Sequence, residues 1–107
     1  MRKFIAGIAI IGAALAGSTA VANATPAQDA QFFALLESEG LTYVSADVAI
    51  AQARAMCADM DYSGLNAGEI VQAAMQLWDM DYETAVSLTA ISIVVYCPWN
   101  DPRTTQA

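Results

Sequence analysis

The sequence predicts a small all-α protein: a four-helix bundle stapled by one disulfide and preceded by a signal peptide. Three observations predict it. The first 24 residues have the layout of an export leader, both cysteines follow that leader, and the remainder divides into four capped stretches with helical apolar spacing.

Arg2 and Lys3 form a positive start, Phe4 to Gly17 is an uncharged apolar run, and Ala22-Asn23-Ala24 is the small-x-small pattern a signal peptidase accepts. The run is shorter than the ~20 residues a bilayer span needs, so cleavage after Ala24 is expected rather than a membrane anchor. No cysteine lies near the cleavage site, which leaves the lipid-modified form without support. The chain thus divides into a leader, residues 1–24, and a single helical domain, residues 25–107, with a short tail from about residue 99. Export places the domain outside the cytoplasm, either secreted or held in the cell envelope.

Of the four basic residues only Arg54 and Arg103 follow the leader, against all eleven acidic ones, so the domain carries a net charge of −9 with no Lys and no His. That charge repels phosphates and anionic lipid head groups, which argues against nucleic acid and membrane surfaces as partners. A domain of 83 residues is marginal on its apolar core alone, and small secreted domains often add a covalent staple. Cys57 and Cys97 supply it, because two cysteines in an oxidising compartment allow one intramolecular pairing. Closing a loop of this length stabilises a fold by about 4 kcal/mol in the chain-entropy model. A redox role is disfavoured: there is no C-x-x-C spacing, and Arg54 is the one cation nearby.

The first helix opens at Thr25 as N-cap with Pro26 at its first position, shows Phe32, Phe33, Leu35 and Leu36, and stops at Gly40. After the extended link Leu41 to Val44, Ser45 caps a second helix through Met60, with Ile50, Ala53, Cys57 and Met60 on one side. Asn66 followed by Glu69 is a near capping box for a third, whose apolar side holds Ile70, Ala74, Leu77 and Trp78. Asp81 caps the fourth, which runs uncharged from Thr84 until Pro98 ends it. A run that short, containing Ser87, Thr89 and Ser92, reads as the buried centre of the bundle rather than a membrane span. Inward-facing small residues (Ala49, Ala53, Ala74, Ala85, Ala90) fit close helix packing.

The tetrapeptide Asp-Met-Asp-Tyr occurs at 59–62 and again at 79–82. Beyond those letters the flanks do not align, so there is no repeat. Asp59, Asp61, Ser63 and Gly64 match positions 1, 3, 5 and 6 of a calcium loop, but position 12 is Ile70 where a bidentate Glu belongs, and Glu69 falls one residue early. Both copies are therefore expected to be turns between helices, with a weak calcium site (Asp59, Asp61, Ser63, Glu69) as the alternative. No catalytic residues are assigned. Without His there is no imidazole base, phosphate loops and nucleophile elbows are absent, and the aspartate pairs fall on solvated turns. No cofactor is expected, although Tyr43, Tyr62, Tyr82 or Tyr96 would be the candidates if a haem iron were ligated.

The leader, the segment Phe32 to Tyr43, the run Ala49 to Cys57, and the apolar last helix ending Tyr96-Cys97-Pro98 together resemble a family of small secreted mycobacterial proteins. That family is catalogued as a domain of unknown function, DUF732, and the resemblance covers about residues 28–98. It implies a small, helical, disulfide-linked, exported fold and supplies no catalytic residues. Ala53 and Arg54 stand where the family often has Gly and a polar residue, and the turn around Ser63-Gly64 is longer.

Two function classes remain. One is a non-enzymatic module that binds another protein or an envelope component, with Trp99, Tyr82, Asp79 and Asp81 as its contact surface: aromatic area set among steering charges. Trp78 is expected in the core. The alternative is a carrier holding an apolar ligand such as haem or lipid, which requires an apolar pocket of several hundred Å³.

Overall fold

The computed structural model describes the backbone of residues 2–3 and all of residues 25–101; the expected signal peptide over 1–24 falls, apart from residues 2–3, outside the described residues, as do residues 102–107. The elements in chain order are β1 (Arg2–Lys3), α1 (Pro26–Ser38), β2 (Leu41–Thr42), α2 (Ala46–Ser63), α3 (Ala67–Leu77), α4 (Tyr82–Tyr96) and one 3-10 turn at Pro98–Asn100. The two strands form a short parallel pair in which Arg2 meets Leu41 and Lys3 meets Thr42. The rest is the four-helix bundle that the sequence predicts.

Each helix starts at a side chain suited to hold its first free N–H groups. Thr25 Oγ1 accepts from the Gln28 N–H and Gln28 Oε1 from the Thr25 N–H; Asn66 and Glu69 make the same reciprocal box. Ser45 and Asp81 accept from the N–H groups of Val48 and Thr84. Such caps each contribute about 1 kcal/mol. Helix α2 differs from expectation. It does not stop at Met60 but continues through Asp61, Tyr62 and Ser63 to a left-handed Gly64, whose N–H bonds to Asp59 O. Nothing in the first Asp-Met-Asp-Tyr breaks a helix, and the left-handed residue that ends it favours glycine. The second copy is the expected turn: Asp79 takes a positive φ of 54°, Met80 is buried, and Asp81 caps α4.

α4 is the axis on which α1, α2 and α3 all pack. Gln28, near the start of α1, donates to Val95 O near the end of α4, so these two run antiparallel. Along α2 and α4 the contacts advance together: Met56 meets Thr89 and Ser92, Cys57 bonds Cys97, and Asp61 meets Trp99 and Asn100, so these run parallel. The α2–α4 seam is lined by small residues; Ala49, Ala53 and Ala85 are wholly buried. Phe32, Leu36, Met56, Ile70 and Leu88 fill the remaining core, and Trp78 is buried as expected. The Cys57–Cys97 disulfide is present, with Cα atoms 5.9 Å apart, within the usual range.

Three packing expectations need correction. Leu77 is 49% exposed and Val71 takes its place in the α3 core, because the true apolar stripe is Ile70, Val71, Ala74 and Trp78. Ala90 faces outward rather than into the bundle. α4 is not enclosed on every side: Val86 and Val94 are exposed with Ala90. Among the described residues no neighbour covers that side, because the three packed helices take up the others.

Candidate functional site

The two long sides of α4 differ in kind. On one side Tyr96 is buried and its hydroxyl donates to Asp29 of α1 at 2.5 Å. Arg54 of α2 pairs with the same carboxylate at 3.6 Å and lies 5.8 Å from the centre of the Tyr96 ring. Phe32 packs against that ring on the α1 side. Burial, then the bond to Asp29, pushes the Tyr96 phenol above its ordinary value. The cluster therefore holds a phenol protonated, which is the opposite of what a tyrosine base or nucleophile requires. Next to it lies a cleft of about 250 Å³ lined by Asp29, Asp47, Ile50, Ala51 and Arg54. Its one cation is already paired, so the arrangement ties α1, α2 and α4 together more than it offers chemistry.

The other side is an apolar ridge. Val86, Ala90 and Val94 recur every four residues, which places them in line over about 12 Å of helix. Val86 and Val94 are 37% and 39% exposed. A groove of about 370 Å³ runs between this ridge and α3, lined by Ala67, Gly68, Val71, Thr89 and Ile93, with Asp101 at one edge. A second, of about 270 Å³, lies towards α1 and is lined by Leu35, Ser87 and Ile91, with Glu39 on its rim. Both open along the surface. Among the described residues neither is lined by a tyrosine that would ligate a haem.

The residues singled out from the sequence do not form one patch. Trp99 is 58% exposed and its indole N–H donates to Asp61, to which Asn100 also donates, each at 2.9 Å. Asp79, Asp81 and the exposed Tyr82 sit at the opposite end of α4, about 21 Å away along the helix. Asp81 is engaged as a cap. Asp59, Asp61 and Ser63, three of the residues named for the calcium alternative, lie on a continuous helix, where alternate residues point about 200° apart. Glu69 is held in its own capping box, and no group of three or more candidate ligands occurs among the described residues. Partial burial raises the carboxyl of Asp59. Among the described residues, no helix is long and apolar enough to cross a membrane.

A family model described as "Protein of unknown function (DUF732)" matches residues 28–99, well over half of the chain. The chain belongs to the DUF732 family. The match begins in the first turn of α1, takes in the other three helices whole and ends just past the disulfide. In this DUF732 chain the Tyr96-Cys97-Pro98 ending has a clear local meaning: Tyr96 anchors α1 and α2, Cys97 bonds α2, and Pro98 starts the turn that presents Trp99. Comparisons with curated proteins and with solved structures found no match.

Both sides of α4 escaped the sequence reading. The Asp29–Arg54–Tyr96 cluster joins residues up to 67 positions apart. The ridge uses residue types that α4 also buries, so composition carries no mark of it.

Proposed function

We propose that this protein is an exported, non-enzymatic contact module that binds a protein or envelope component through the open side of α4. The observation that carries the reading is the line of Val86, Ala90 and Val94, exposed among the described residues on a helix whose other residues are mostly buried. Contiguous exposed apolar surface bordered by polar residues is the usual mark of an interaction site. Export is supported by the leader-like residues 1–24 and by the disulfide, since such bonds persist in oxidising compartments. Carriage of an apolar ligand has less support, because carrier sites enclose most of their ligand and these grooves lie open on the surface.

The test is site-specific photo-crosslinking in the cell that makes the protein. A photoreactive residue at Val94 or Val86 is expected to give a discrete adduct, while one at Gln72, on the exposed side of α3, gives none. Absence of any adduct from positions 86 and 94 sinks the reading.

A further inference from the structure

We infer that the Leu41–Thr42 edge is a docking site for an extended peptide, which joins it as a parallel strand once the leader is removed. This surface is separate from the ridge on α4. It goes beyond the contact reading and shares with it only the export of the chain.

The local backbone makes the edge. After α1, Gly40 takes a φ of 71° and turns the chain out of the helix into the link before α2. Leu41 is buried and fixes that link against the core, while Tyr43 and Val44 are exposed. A strand held on one face but lying at an edge has backbone N–H and C=O groups that need partners. In the full chain Arg2 pairs with Leu41 and Lys3 with Thr42, in parallel. The edge thus accepts a strand from a segment remote in sequence. Those two residues belong to the leader, and cleavage after Ala24 removes that pairing from the exported domain.

A groove beside the edge is a second, independent observation. It measures about 410 Å³ and is lined by Phe33, Ala34 and Glu37 of α1 and by residues 40–43. The rings of Phe33 and Tyr43 lie 5.3 Å apart, tilted by 42°, and form an aromatic wall. Side chains alternate along a strand, so a peptide paired with Leu41 and Thr42 sends every second one to the same face. The occupant is therefore an extended segment with an aliphatic or aromatic side chain beside its paired residues. Ladder bonds attach it, and the groove selects that side chain.

The experiment uses isotope-labelled exported protein from the cell that makes it, with its disulfide intact and its first residue read by mass spectrometry. Thr25 is expected there. The probe is the chain's own start supplied in trans, Met-Arg-Lys-Phe-Ile-Ala-Gly-Ile, residues 1–8. Its binding is expected to shift the amide NMR signals of residues 40–44 and leave those of Val86, Ala90 and Val94 in place. The same peptide methylated on the amide nitrogens of residues 2–4 is expected to bind at least ~10-fold more weakly, because it cannot form the ladder. Tyr43→Ala, which removes part of the aromatic wall, is expected to weaken binding by about 5-fold. The full chain, kept uncleaved by Ala22→Leu with Ala24→Leu, is expected to bind at least ~10-fold more weakly, because its own residues 2–3 compete at high effective concentration.

No binding, equal binding of the methylated peptide, equal binding by the uncleaved chain, or shifts at Val86 to Val94 in place of residues 40–44 overturns the inference. So does an exported protein that keeps residues 2–3, since its edge is never vacated. Sedimentation showing a dimer that Tyr43→Ala dissociates would make a second copy the occupant and overturns it too. Crosslinking at Val86 and Val94 is read separately, so the contact reading on α4 stands or falls on its own.

Discussion

The Tyr96 side and the Val94 side of α4 belong to one helix with one composition, and they have opposite fates. On the first, a phenol, a carboxylate and a guanidinium from three helices satisfy one another, and the disulfide lies at the next residue. On the second, three small or branched apolar residues face outward with grooves on both sides. Polar groups pair across helices on the closed side, while the ridge of the open side is made of apolar side chains. A binding surface of this kind needs a stiff backing, and the closed side supplies it.

If that division is right, substitutions should separate by side. The largest expected effect is loss of the staple. Cys57→Ala with Cys97→Ala should lower stability by about 4 kcal/mol, read as the denaturation midpoint in urea, because a 40-residue loop is released in the unfolded chain. Equal stability with and without the bond would break the comparison at its strongest point.

Next is Tyr96→Phe, expected to cost roughly 1–2 kcal/mol at neutral pH by removing the bond to the partly buried Asp29 carboxylate. The same variant tests pH dependence. Because the folded phenol titrates above its ordinary value of about 10, the unfolded chain loses its proton first as pH rises. The contribution of Tyr96 is thus fully present below about pH 10 and is lost as pH rises beyond it. Wild type should lose stability in that alkaline window and Tyr96→Phe should lose less, by thermal melts between pH 9 and 11.

Gln52 sharpens the contrast from the other direction. It is wholly buried in α2, and neither atom of its amide has a protein partner among the described residues. Replacing it with Leu removes two unsatisfied groups at similar volume, so Gln52→Leu should raise stability by about 1 kcal/mol, checked by chemical denaturation. The smallest effect belongs to the open side. Val94→Gln should change stability by less than about 0.5 kcal/mol while reducing partner adducts. A loss comparable to that of Tyr96→Phe would mean that Val94 is part of the core after all.

How much of this was legible in the sequence follows from the range of each interaction. The caps at Thr25, Ser45, Asn66 and Asp81 were readable because each pairs a side chain with a backbone group three residues on. The disulfide was readable from a count of two cysteines. The end of α2 was misread because Asp-Met-Asp-Tyr looks like a turn, although a helix tolerates it until a glycine ends it. The open side of α4 was invisible for a different reason. A helix apolar all round carries no periodic signal, so the choice of which face remains bare is made by the three helices that pack on it. The Asp29–Arg54–Tyr96 cluster is likewise a product of tertiary placement.

The position of the disulfide also fixes the covalent topology. The bond between Cys57 and Cys97 makes a closed ring containing the end of α2, all of α3 and all of α4, and leaves α1 outside it. A protease cut between Tyr43 and Val44, both exposed in the link before α2, would free α1 as a separate fragment held only by non-covalent packing. A cut after Asp79, inside the ring, would leave one molecule of undiminished mass until a reductant was added. Peptide mapping with and without reductant would therefore read out which parts of the fold are held by chain connectivity and which by packing alone.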